Sequence, residues 1–217
     1  MEPVDSKYPV VMDHAVERVL AAAESLDELN DNPDHPSAWK NCDFVALQVR
    51  KLCELFLLGS SLAHVEDGHD QFDLKEWHPD KAFKQLQQLN DNPMAIPMRM
   101  ATLEGGERQL QPVSMHLPND VLGTIYGRCG DLLHIPSAHR ILKGKVGEFD
   151  IQLFASWIRG FHRLLECHAI LVPQIQTVYL CIWSGKSGEK VQCNRLAALG
   201  PSTFSTDGLP QFDLLAV

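Results

Sequence analysis

The sequence predicts a mainly α (α+β) fold, a helical bundle of about five helices with a small internal hairpin and a C-terminal β-hairpin. Three observations carry this prediction. Apolar residues recur at helical spacing through five separate stretches. Two shorter stretches surround glycine-containing turns, at Gly105-Gly106 and at Gly185-Lys-Ser-Gly188. The pentapeptide Leu-Asn-Asp-Asn-Pro closes a helical stretch twice, at 29–33 and at 89–93, because proline cannot continue a helix.

Taken in order, Val11 to Leu29 has the spacing of helix one. Asn in the pentapeptide that follows tolerates a left-handed cap. The residues flanking the two copies do not match, so the pentapeptide reads as punctuation and not as an internal repeat. Ser37 to Glu66 is expected as a long helix two with Ser37 as its N-cap. Pro79 to Leu89 is a short helix three, and residues 96–116 form the internal hairpin. Asn119 caps helix four, which runs to about His134. Glu148 to Leu171 is expected as helix five, with Phe149, Leu153, Phe154, Trp157, Ile158, Phe161, Leu164 and Leu165 on its apolar positions. The C-terminal hairpin, 177–196, pairs Thr177 to Ser184 with Lys190 to Leu196. Val178, Leu180 and Ile182 lie on one side of it and Tyr179, Cys181 and Trp183 on the other. A ribbon apolar on both sides must be covered by the bundle or by a partner. Residues 1–200 thus read as one domain, and 201–217, rich in Pro, Ser and Gly, as a loosely ordered tail.

Composition narrows the function. Of 217 residues, 45% are hydrophobic and 22% charged, the balance of a globular domain. The net charge of −9 disfavours tight, unspecific binding to nucleic acid, which needs a basic surface. Six scattered cysteines, with no C-x-x-C spacing, fall partly in apolar runs, as buried free thiols do. The first ten residues have neither the basic start nor the apolar run of a signal peptide. The densest apolar stretch, LCELFLLG at 52–59, is too short to span a membrane. A soluble, reduced, cytoplasmic protein with no membrane partner is expected. Ten histidines fall at no standard metal-ligand spacing, so neither a metal nor a cofactor is called for.

Two short matches carry nothing. His78-Pro79-Asp80 resembles a co-chaperone tripeptide but follows an acidic segment, and it places Pro79 in a first helical turn. Gly185-Lys186-Ser187 lacks the first glycine of a phosphate loop, since position 180 is Leu, and no helix follows it.

The residues with functional content lie on helices two and four. On helix two, Asp43, Arg50, Glu54, Ser61 and His64 share a stripe of roughly 80° at about 100° per residue. Arg50 and Glu54 are spaced to pair. Such a stripe is either a satisfied polar edge or, with Arg50, Glu54 and His64 as its binding residues, one wall of a site. On helix four, Gly123, Gly127 and Gly130 share one face, with His134 at its end. Each interior glycine costs about 1 kcal/mol relative to Ala, so three together require a reason, such as close approach of another helix. Arg128 points about 120° away from His134 on a straight helix, so a shared site needs a bend or two chains.

Arg128-Cys-Gly-Asp-Leu-Leu-His134 is similar to the R-x(4–6)-H motif of the HEPN superfamily, small helical-bundle proteins that include metal-independent ribonucleases of bacterial toxin and antiphage systems. The helical order over residues 10–172 and the helix-two run VRKLCELFLLGSSLAH also resemble that family. The resemblance implies a homodimer, a protein partner or an RNA substrate, and two motifs meeting at the dimer interface. Two functions follow. One is a dimeric binding or regulatory module in a bacterial stress or defence setting. The alternative is a metal-independent endoribonuclease, with His134 as general acid/base, Arg128 stabilising phosphorane charge and Asp131 orienting His134. Active members often place a polar residue, such as Asn or Asp, directly after the Arg; here Cys129 stands there.

Overall fold

The computed structural model describes residues 7–66, 79–89, 94–102, 108–113, 119–134, 142, 148–172 and 177–197, with the short segments 203–204 and 210–211. Among the described residues are five α-helices: α1 Tyr8–Asp31, α2 Ala38–Glu66, α3 Pro79–Leu89, α4 Asn119–Leu133 and α5 Ile151–Glu166. The strands are β1 Ile96–Thr102, β2 Arg108–Pro112, β3 Cys167–Val172, β4 Thr177–Ile182, β5 Gln192–Ala197, β6 Thr203–Phe204 and β7 Pro210–Gln211. The mainly α, α+β class read from the sequence is the observed one. The Gly105-Gly106 turn, the Asn90–Pro93 part of the second pentapeptide and most of the segment from Pro201 lie outside the described residues.

Helix α1 begins at Tyr8, three residues before the periodicity alone places it, with Pro9 in the first turn where a missing N–H is harmless. It stops at Asp31. Asn32 donates its N–H to the Glu28 carbonyl at 3.1 Å with φ −138° and ψ 63°, so it is not left-handed. The expected Asn cap is therefore corrected: the residue before Pro33 is barred from helical backbone, and that ends the helix. At the start of α2 the Ser37 hydroxyl donates to His35 Nδ1 at 2.7 Å, while the Ser37 carbonyl accepts from Lys40 N–H at 2.9 Å. The Asp150 carboxylate caps α5, accepting from Leu153 N–H at 3.0 Å.

The largest correction concerns Cys167–Val172. The sequence extends helix five to Leu171, but α5 ends at Glu166 and the next six residues are β3. All but Cys167 are buried. A strand buried on both faces is a continuous apolar run, which periodicity cannot separate from a buried helix. β3 also joins what read as two separate hairpins. The sheet order is β2-β1-β3-β4-β5, antiparallel throughout, with Ile96 opposite Ala169 and His168 opposite Cys181.

Helices α1, α2 and α5 contact one face of this sheet, and α4 packs on α2. The main core gathers Tyr8, Met12, Phe56, Phe161, Leu165 and Tyr179, and Phe56 stacks on Phe161 at 5.5 Å. Ile96, Met98, Ala169, Leu171 and Val178 form a second cluster on the opposite sheet face. The two-sided burial expected for β4 is observed, from Thr177 to Cys181. The β4–β5 turn places Gly185 at φ 79° and Gly188 at φ 82°, so the Gly-Lys-Ser-Gly motif is a turn built on left-handed glycines.

Candidate functional site

Where α2 crosses α4, four residues meet that the sequence places on separate helices. Arg50 Nη2 donates to the Tyr126 hydroxyl at 2.7 Å, and the guanidinium lies over the Tyr126 ring, 4.3 Å from its centroid. Arg50 Nε stands 3.6 Å from the Glu54 carboxylate, completing the expected i,i+4 pair. Lys51 reaches the same carboxylate at 2.7 Å. A planar guanidinium held by a carboxylate, a hydroxyl and an aromatic face is well matched to all three. Arg50 thus fastens α2 to α4.

This clamp explains one of the three glycines. A Cβ at Gly130 would lie 3.1 Å from Arg50 Nη1 and 4.0 Å from His134 Cδ2. Gly130 therefore makes room for the guanidinium, and Arg50 and His134 border the same point. Gly123 and Gly127 differ, because among the described residues nothing lies within 4 Å of a Cβ at either position. Beside Gly123 is a small apolar pocket of about 50 Å³ whose walls include Leu57, Phe83, Leu122 and Tyr126.

Arg128, Asp131 and His134 are all exposed on the C-terminal half of α4. The helix is unbroken from Asn119 to Leu133, and His134 N–H continues its ladder to the Gly130 carbonyl at 3.0 Å. The described helix thus has no bend to carry Arg128 round to His134, and the two stay about 120° apart on the wheel. The arginine that shares a neighbour with His134 is Arg50. Cys129, the motif residue after Arg128, is turned into the core, where burial pushes its thiol up to about 12 against the opposing pull of Arg50.

The helix-two stripe does not form one surface. Asp43 is exposed, Arg50 and Glu54 are half-buried, and Ser61 and His64 are fully buried. Ser61 Oγ donates to the Leu57 carbonyl at 2.9 Å, and His64 Nδ1 bonds the Ser60 carbonyl at 2.8 Å. Glu54 also faces an open groove of about 340 Å³ between α1 and α2, with His14, Arg18 and Lys51. Its cations are already engaged, Arg18 with Gln48 at 3.0 Å and Lys51 with Glu54.

Sequence reasoning missed Tyr126, although it lies four residues before Gly130 and so on the same face. It also missed a buried polar pair far from α4. The Tyr8 hydroxyl bonds His168 Nε2 at 2.7 Å, and His168 Nδ1 bonds the Leu164 carbonyl at 2.7 Å. Since Nδ1 must donate to the carbonyl, Nε2 accepts and the Tyr8 hydroxyl donates. Burial lowers the His168 pKa to about 4 against the smaller opposing effect of the Leu164 bond, so the ring is neutral.

Among the described residues no group of three or more His, Cys, Asp or Glu is placed to hold a metal, and no helix is long and apolar enough to cross a membrane. Comparison of the chain with known protein families, curated proteins and solved structures returns no match.

Proposed function

We propose that this chain is a HEPN-like, dimeric binding or regulatory module that pairs with a second copy through the open face of α4. The observation that carries this reading is the contrast among the glycines. Gly130 is accounted for by Arg50, whereas among the described residues nothing meets a Cβ at Gly123 or Gly127, and an apolar pocket lies beside Gly123. Each still costs about 1 kcal/mol in a helix interior, with no return among the described residues of one chain. The face is self-complementary. Two antiparallel copies of α4 related by a two-fold axis at Ile125 set Gly123 of one against Gly127 of the other, and reciprocally. Backbones can approach closely there, and Leu122 and Tyr126 border the contact. This reading carries over the cytoplasmic, bacterial stress or defence setting that the cysteine pattern and the family resemblance led us to expect.

Light scattering on wild type and Gly127→Leu tests the pairing. The leucine enters open space, so the monomer fold is expected to persist by circular dichroism. Wild type should have the mass of a dimer and the variant that of a monomer. A wild type that is monomeric at every concentration, or a variant that dimerises equally well, overturns the reading.

A second reading, a metal-independent endoribonuclease, is favoured by the exposure of both Arg128 and His134 beside the open glycine face. The dimer centred at Ile125 sets the two His134 about 27 Å apart along the helices, so this reading requires a different pairing, one that brings the C-terminal ends of two α4 helices together. His134 would then exchange the proton of the attacking 2′-hydroxyl, Arg128 would stabilise the phosphorane, and Asp131 would orient His134. Incubation of total RNA in EDTA with wild type and His134→Ala is the test. Cutting that survives the chelator and vanishes in the variant establishes it; no cutting by either folded protein refutes it.

A further inference from the structure

Three neighbouring strands place His168, Cys181 and Cys193 in one row on the helix-facing side of the sheet. Cys181 and Cys193 are directly opposed across β4 and β5, and the Cys181 thiol donates to Cys193 Sγ at 2.8 Å. Both are free thiols. Directly opposed residues of an antiparallel pair have Cα atoms about 4.5–5.5 Å apart, within the range of about 4.4–6.8 Å that a disulfide needs. The bond can therefore form without moving the strands. Their register is held at the turn end by Asp13 of α1, which accepts from Val191 N–H at 2.8 Å and pairs with Lys190 at 3.1 Å.

We infer that Cys181 and Cys193 form a reversible cross-strand disulfide when the protein meets a peroxide. The two sulfurs have different roles. Cys181 is fully buried, whereas Cys193 is 8% exposed and belongs to β5, the edge strand of the sheet. Cys193 Sγ attacks one peroxide oxygen, the O–O bond breaks, and the departing hydroxide leaves as water with the thiol proton. Cys193 is then a sulfenic acid. Cys181 Sγ attacks that sulfur, the S–O bond breaks, and the oxygen leaves as a second water carrying the Cys181 proton. Two thiols lose two electrons and one hydrogen peroxide becomes two waters. The product fastens the edge strand to β4, and a dithiol reductant returns it by exchange. This inference is independent of how α4 is used.

The experiment treats reduced wild-type protein with hydrogen peroxide, blocks the remaining thiols with iodoacetamide, and maps peptides without reduction. The expected result is one linked peptide pair containing Cys181 and Cys193, two hydrogens lighter than the free pair. Thermal unfolding should move up by about 5–10 °C, as expected for closing a short loop in a chain of this size, and return with dithiothreitol. Cys181→Ala should abolish both effects and leave Cys193 as a sulfenic acid that dimedone labels. Alkylation of both cysteines in peroxide-treated wild type overturns the inference, as does a bridge to Cys167 or to a second chain. The principal readout is on wild type, so it stands whether or not the variant folds.

Discussion

At the scale of single residues, His168 holds the most chemical information. Its ring is enclosed by Tyr8, Phe56 and the Leu164 carbonyl, with both nitrogens bonded. A charged imidazolium would need a second acceptor where a hydroxyl now donates, in a site closed to water. The native state therefore binds a proton only near pH 4, while the unfolded chain binds it near the usual value of about 6.5. Between those values the unfolded state holds more protons, so stability is complete above about pH 6.5 and declines as pH falls towards 4. Urea unfolding is expected to show a loss of about 2 kcal/mol between pH 7 and pH 5, a window in which most carboxylates stay charged. A flat profile over that window would show that the ring is charged in the native state. Gly59 supports the same pair: a Cβ there would lie 2.8 Å from both Tyr8 Cε2 and Met12 Cε, so its bare backbone lets α1 come close enough to bring Tyr8 to His168.

At the scale of elements, α4 has one side fitted to α2 and another left open. Ile125 and Cys129 are buried against the bundle, Gly130 receives the Arg50 guanidinium, and among the described residues Gly123 and Gly127 receive nothing. Alanine at Gly127 should raise the stability of the isolated chain by about 1 kcal/mol, the intrinsic difference in helix propensity. Alanine at Gly130 has the same intrinsic gain, but its Cβ would lie 3.1 Å from Arg50 Nη1 and push the guanidinium by a few tenths of an ångström against its bond to Tyr126, so it should fall short of Gly127→Ala by up to about 1 kcal/mol. Thermal unfolding of both variants at concentrations that keep the chain monomeric checks this, and equal gains would mean that Arg50 yields freely. The helices themselves were legible in the sequence because their apolar spacing is local. The first pentapeptide, Leu29–Pro33, was legible as a stop, although the stop at Asn32 works through Pro33 and not through a left-handed cap. The Arg50–Tyr126–Gly130 contact was not legible, because nothing local to either helix says which face of α4 meets which face of α2.

At the scale of the whole molecule, one misread strand changes the architecture. Cys-His-Ala-Ile-Leu-Val is apolar at nearly every position, and following directly on α5 it reads as more helix. Its burial on both faces erases the alternation that marks a strand, and only the two β-branched residues, Ile170 and Val172, hint otherwise. With β3 in place, two ribbons distant in sequence become one sheet, and the helices have a surface to cover. The arrangement also dictates an order of events during synthesis. The β1–β2 ribbon leaves the ribosome long before Cys167–Val172 exist, so it waits with the inner edge of β1 bare. A message cut short upstream of Cys167 would release a chain whose strand edge is left to find a neighbour in another copy.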